Sequence, residues 1–306
     1  MTSAAVVSSL SSIHHTERNY QSYPGSNYVL PSDDREARRL NLQHEALKHA
    51  YEGRIILAPY DSASAYVVLD SGVGSASWTL DASKQLSPSA ILHGIDIERK
   101  LFPSIRPDNV SFSINSITSL PTEWTERFDF VHQRLLVAAL RRDEWVTAIS
   151  NMHRAIRPGG WVQLGEVGTW HAGPVTAKHI KLVQTLFESR QLVLGVSKDL
   201  PKMLEEGGFK NVSIESRSIP IGSWAGPKGC QARDNFIEVF RGMKTPMLRL
   251  GGLGFVSSEK DFDALVDNLE AEWDATEGSE FDFHIIYGQK QNRCWYHLSE
   301  SSFICL

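Results

Sequence analysis

Short apolar runs alternate with amphipathic stretches along most of this chain. "AYVVLD" (65–70), "AILHGID" (90–96), "NVSFSIN" (109–115), "FDFVHQR" (128–134) and "GWVQLGEV" (160–167) are brief and rich in β-branched or aromatic residues, which predicts strands. Between them, "ASWTLDASKQL" and "RRDEWVTAISNMHRAI" carry helical spacing, and the second stops before Pro158-Gly159-Gly160. Upstream, "SDDREARRLNLQHEALKHAYEG" (32–53) opens on capping and acidic residues, closes on Gly53, and sets Leu40, Leu47, Ala50 and Tyr51 on one stripe. Strand–helix alternation of this kind predicts an α/β protein with a parallel sheet covered on both faces.

Beyond Gly165 the pattern continues with a helix near 176–195, a short helix in "LPKMLEEGGF" and a strand in "NVSIESRSIPI". Two helical stretches, about 230–248 and 258–276, precede a last strand, "FDFHIIYGQK". They read as a helical cap inserted at about 222–278, and such insertions sit over ligand clefts. Residues 1–31 lack periodicity and read as a mobile arm, 32–53 as a lid helix, 54–290 as the main domain and 291–306 as a patternless tail.

Composition narrows the partners. With 42% hydrophobic and 22% charged residues the chain can bury a sizeable core, and a net charge of −5 gives no basic field for nucleic acid. Cys230, Cys294 and Cys305 show no metal-ligand spacing and leave an odd thiol, which fits a reducing compartment. The N-terminus lacks the basic and apolar regions of a secretory signal, and no apolar run approaches the ~20 residues of a membrane helix. The expectation is a cytoplasmic protein, nuclear if its role is regulatory, with a small-molecule partner, no nucleic acid and no membrane; the pattern specifies no oligomeric state.

The chemistry concentrates in "VVLDSGVGSASW" (67–78). Gly72-x-Gly74 follows a strand, as in a dinucleotide fingerprint, but Ser77 stands where the third glycine belongs. Asp70, two residues before Gly72, would repel a pyrophosphate and attract an ammonium or sulfonium. S-adenosyl-L-methionine carries both, so the stretch favours it over NAD. About 22 residues past Gly74, Asp96 ends the second strand, where a carboxylate accepts both ribose hydroxyls. Ile97 is placed to cover one adenine face, and Asn115 and Ser116 at the third strand end to receive the adenine amino group. His132, Gln133 and Arg134 sit at the fourth strand end, and Glu166 at the fifth.

In order, "LDSGVGSASW", "HGIDIE", "FDFVHQR" and "RAIRPGGWVQLGE" resemble a class I S-adenosylmethionine-dependent methyltransferase. With "YVLPSDDREARRLNLQH" upstream, residues 28–290 are similar to the fungal secondary-metabolism methyltransferases related to the regulator LaeA. The resemblance implies a Rossmann-like seven-stranded sheet, order 3-2-1-4-5-7-6, with the last strand antiparallel. It also implies that Asp70, Gly72 and Gly74 hold the methionine end of the cofactor, that Gln133 closes over the sulfonium, and that Tyr28 and His44 lid the site. Ser71, Val73 and Ala76 depart from the usual loop, and Asn115-Ser116 stands where an acid is frequent.

Methyl transfer from a sulfonium is an in-line displacement, in which alignment supplies most of the catalysis. A general base is needed only for an acceptor that must first lose a proton. His132 and His171 are the candidate bases, with Glu166 either a third or a loop anchor. Trp170, Trp224 and Phe236 are candidate clamps for an apolar or aromatic acceptor. No metal triad is visible. The reading is a methyltransferase for a small secondary metabolite, acting on oxygen with nitrogen as second choice. The alternatives are a non-catalytic regulatory cofactor-binding protein and an NAD(P)-dependent reductase. Asp70, the missing third glycine and the lack of a Tyr-x-x-x-Lys pair disfavour the reductase.

Overall fold

The structure, a computed structural model, describes residues 11–292 except 22, 62, 63 and 65. Cys294, Cys305 and the tail from 293 lie outside the described residues, as do residues 1–10 of the arm. Helix α1 (Asp34–Ala50) is followed by β1 (Val67–Ser71), α2 (Ser77–Gln85), β2 (Ile91–Asp96), β3 (Val110–Ile114), β4 (Phe128–Arg134) and α3 (Arg142–Ala155). Then come β5 (Ile156–His171), α4 (Pro174–Ser189), α5 (Leu200–Glu206) and β6 (Phe209–Pro220). Helices α6 (Gly226–Gly242), α7 (Lys244–Arg249) and α8 (Glu259–Ala275) lead into β7 (Glu280–Lys290).

The strands form one seven-stranded sheet in the order β3-β2-β1-β4-β5-β7-β6. The pairs from β3 to β5 are parallel, and β7 runs antiparallel to both β5 and β6. Successive side chains of a strand point to opposite faces. Val68 and Phe130 therefore join a cluster with Trp78 of α2, while Leu69 and Val131 join one with Trp145 and Met152 of α3. Covering both faces keeps the middle of β1 and β4 apolar, with the polar residues at their ends.

Strand order reverses between β1 and β4. In open α/β sheets the crevice beyond the strand ends at that switch is where ligands bind. A third apolar cluster closes over this edge, built from α4, α6 and α8 with Tyr51 and Leu47 of α1.

The described part of the arm, residues 11–31 except 22, is docked. Ile13 donates its amide to Leu248 (2.9 Å), Tyr20 Oη donates to the Gly242 carbonyl (2.6 Å), and Tyr20 bridges Pro31. Arg18 binds Asp33, whose side chain also caps α1 by accepting from the Glu36 amide at 3.0 Å. Val29 and Leu30 are buried. The mobile arm expected for 1–31 is therefore, over residues 11–31, a docked strap. Its anchors are single residues without a period, and two of them, Ile13 and Tyr20, find partners on α7 and α6 more than 200 residues away.

Candidate active site

A cavity of about 400 Å³ opens at the β1/β4 switch point, within the range of small-molecule sites. On one wall the loop after β1 turns through Gly72 (φ +69) and Gly74 (φ +50), a left-handed region that penalises side chains. A Cβ at either glycine would stand 2.9 Å from a leucine methyl, Leu136 at Gly72 and Leu40 at Gly74. The amides of Gly72 and Val73 both turn back to the Ile95 carbonyl, fixing the loop against β2.

Asp96 faces this loop. Its Oδ2 accepts from the Gly74 amide (2.9 Å) and its Oδ1 from the Glu98 amide (3.1 Å). Burial raises its pKa, and those backbone donors only partly offset the effect. A carboxylate on a cavity wall, with no cationic partner among the described residues, suits vicinal hydroxyl donors. Tyr28, Ile97, Asn115 and Ser116 line the same cavity, and burial raises the Tyr28 phenol well above its usual range. Glycine cradle, acid, apolar cover and neutral polar edge together fit an adenosyl group with a chain at its 5′ end.

The cap supplies the other wall. Trp170 leaves the end of β5 and meets Phe236 edge-on at 4.7 Å and Phe240 at 5.8 Å. Behind it Trp273 stacks at 5.5 Å. Between the two walls Arg39 and Glu36 form a buried bidentate pair (3.0 and 2.6 Å), with Asn235 of α6 accepting from Arg39 at 3.1 Å. The loop after β4 closes the floor. Glu166 Oε1 accepts from the Leu136 amide (2.7 Å), and burial pushes this carboxyl up to about 8. Glu166 is thus a protonated loop anchor at neutral pH.

Several residues expected at the site lie elsewhere. His132 is buried between Asp70, which pairs with its Nδ1 at 2.8 Å, and the indole of Trp78, stacked at 3.7 Å. Burial holds its imidazole below its ordinary pKa, and it does not reach the cavity. Asp70 is held by the same contact and by Thr79 of α2, and it is not among the residues lining the cavity. The two residues are register partners on β1 and β4, so the pleat sends both side chains to the α2 face. Gln133 points the other way but stays buried, accepting from Ser71 Oγ at 3.0 Å. His171 is exposed at the far end of β5 and pairs with Asp282. Trp224 donates its indole N–H to the Ile221 carbonyl, off the cavity wall.

His44 does not lid the cavity either. Its Nε2 pairs with Asp81 (2.9 Å) and its Nδ1 accepts from Arg134 (3.0 Å). His44, Glu45 and Asp81 are the one cluster with metal-ligand reach among the described residues. Lys48 and Lys84 both bind Asp81, and two ammonium groups leave no place for a cation there.

Arg134, Arg39, Glu36 and Phe240 reach the cavity without an assigned role in the sequence reading. For Arg134 a signal existed, a charge at the carboxyl end of a buried strand. For Glu36 and Arg39 the i,i+3 spacing allowed a pair but equally a solvated helix face.

Among the described residues, no helix is long and apolar enough to cross a membrane. A family model for a methyltransferase domain matches residues 68–160. The N-methyltransferase gliN of Aspergillus fumigatus is 34% identical over 276 residues, covering 86% of this chain and 96% of that one. The N-methyltransferase sirN of Leptosphaeria maculans is 31% identical, covering 87% and 96%. A solved structure from Anabaena variabilis, described as a methyltransferase of an antibiotic biosynthesis pathway, shares the fold with a TM-score of 0.52. It is 16% identical and covers 86% of this chain and all of its own. Sheet order, cavity and relatives agree, and the chain belongs to the class I S-adenosylmethionine-dependent methyltransferases of fungal secondary metabolism.

Proposed function

We propose that this enzyme methylates a nitrogen atom of a small, largely apolar secondary metabolite. When bound, S-adenosylmethionine supplies an electrophilic methyl group. Asp96 takes the ribose hydroxyls, Ile97 covers the adenine, Asn115 and Ser116 border its edge, and Tyr28 closes over the nucleoside. Trp170, Phe236 and Phe240 hold the acceptor and exclude water, so that alignment rather than acid–base chemistry carries the rate.

One observation carries the choice of nitrogen over the oxygen favoured from sequence: among the described residues no histidine lines the cavity, and its carboxylates, Glu36, Asp96, Glu98 and Glu144, each already accept protein hydrogen bonds. His132 is sealed behind β1, His171 faces outward, and Glu36 is neutralised by Arg39. A phenol or alcohol needs a base in the transition state, whereas a neutral nitrogen attacks with its own lone pair. The relatives gliN and sirN, both named N-methyltransferases, support the same reading.

The test is incubation with S-adenosylmethionine and matched pairs of apolar amines and phenols, followed by mass spectrometry. A 14-dalton gain that fragments with nitrogen is expected. Methyl found on oxygen would overturn the assignment, and cofactor binding without release of S-adenosylhomocysteine across a cell-extract metabolite panel would favour a regulatory protein.

A further inference from the structure

Two arginines reach the cavity, and they differ in what they already hold. Arg39 gives its guanidinium to both oxygens of Glu36. Arg134, at the end of β4, lines the cavity beside Ser71 and Gly72 and forms no ion pair with any described carboxylate. Among the described residues its side chain has one hydrogen-bond partner, the imidazole Nδ1 of His44. A guanidinium offers five N–H donors in a planar fork that matches a carboxylate. Partly buried, with no carboxylate in contact and Asp70 and Asp81 acting on it only at longer range, it is a costly group until an anion arrives.

The support behind Arg134 has a direction. His44 accepts from Arg134 at Nδ1, so its proton sits on Nε2, where it is donated to Asp81. Asp81 is fixed in turn by Lys48 and Lys84. Burial and the neighbouring guanidinium lower the His44 pKa to about 4, so the ring stays a neutral acceptor at physiological pH. Asp81 of α2, His44 of α1 and Arg134 of β4 thus form a chain ending at the cavity wall nearest the glycine loop.

We propose that Arg134 anchors the α-carboxylate at the amino-acid end of S-adenosylmethionine, with His44 and Asp81 as positioning residues that aim its guanidinium. This rests on the cofactor reading of the cavity and adds the contact that Asp70, turned away toward His132 and Thr79, does not make. Arg39 is not an equivalent candidate, because recruiting it would strand the Glu36 carboxylate in the same wall.

Calorimetry with two ligands tests the assignment. S-adenosylhomocysteine carries the amino-acid tail, and 5′-methylthioadenosine has the same nucleoside and thioether without it. Arg134→Gln is expected to weaken S-adenosylhomocysteine by about 30-fold while changing methylthioadenosine by less than about threefold. Arg134→Lys, which keeps the charge and loses the fork, should fall between. His44→Phe should weaken S-adenosylhomocysteine alone, by about fivefold, with His44→Asn recovering part of the loss through its side-chain carbonyl. Equal losses for both ligands in Arg134→Gln, or no loss for either, would overturn the anchor. A parent protein that binds neither ligand would overturn the cofactor reading itself, and the anchor with it.

Discussion

The two walls of the cavity are built on different principles. The cofactor wall is local, since Gly72, Gly74, Asp96, Asn115 and Ser116 all lie at strand ends within about 45 residues. The acceptor wall gathers Trp170 from β5 and Phe236 and Phe240 from the cap, three side chains from separate elements about 70 residues apart at the extremes. One wall depends on backbone geometry and a carboxylate. The other depends on packed aromatic area. Substitutions should therefore separate nucleoside binding from acceptor binding.

The largest separation is expected from Asp96→Ala. Losing a charged acceptor for two hydroxyls should weaken S-adenosylhomocysteine by about 100-fold in calorimetry. Thermal stability should change little, because removing an acid with a raised pKa offsets the loss of the acceptor for the Gly74 and Glu98 amides. A lowered melting temperature with affinity intact would reverse the roles assigned here. Phe236→Ala should do the opposite. The kcat/KM for the acceptor is expected to fall roughly 10- to 50-fold while S-adenosylhomocysteine affinity moves less than about twofold, since truncation removes apolar contact at one wall only.

The walls should also respond oppositely to pH. Glu166, beneath the β4 loop, has a folded pKa near 8 against an ordinary 4.5. The folded state holds the extra proton, so this group's contribution is complete below 4.5 and is lost as pH rises toward 8, by up to about 1.4 kcal/mol per unit. His179 of α4, buried against Phe240, is lowered by burial from 6.5 to about 3. The unfolded chain binds the extra proton there, so stability is complete above 6.5 and is lost as pH falls toward 3. Melting temperatures from pH 5 to 8 should show Glu166→Gln flattening the alkaline side and His179→Leu the acid side. The smallest effect is expected for His171→Gln, whose steady-state rate should match the parent within about twofold, as its side chain is exposed and off the cavity. A large loss there would restore it as a base.

The sheet was legible because its strands are short apolar runs with clear breaks, and a parallel sheet covered on both faces writes itself as such runs. The β1 loop, Asp96, Ile97 and Asn115-Ser116 were legible as cavity-lining positions for a related reason. They follow strand ends, and the carboxyl edge of a doubly wound sheet faces the ligand. Asp70 and His132 were misread at the same edge. One residue earlier in a strand turns a side chain from the crevice to the helix layer, and periodicity alone does not say where a strand's last turn into the loop falls.

The sequence by itself determined the architecture, the cofactor class and the strand ends that line the cavity, because those features are encoded within windows shorter than one βαβ unit. Only the tertiary structure decided what closes the cavity. It docked the strap through isolated anchors such as Tyr20 and Ile13, paired Glu36 with Arg39, and set Arg134 against His44. Those contacts join segments tens to hundreds of residues apart. A charge or an aromatic ring reads the same along the chain whether it meets solvent, core or ligand, and only the partner brought from elsewhere fixes which.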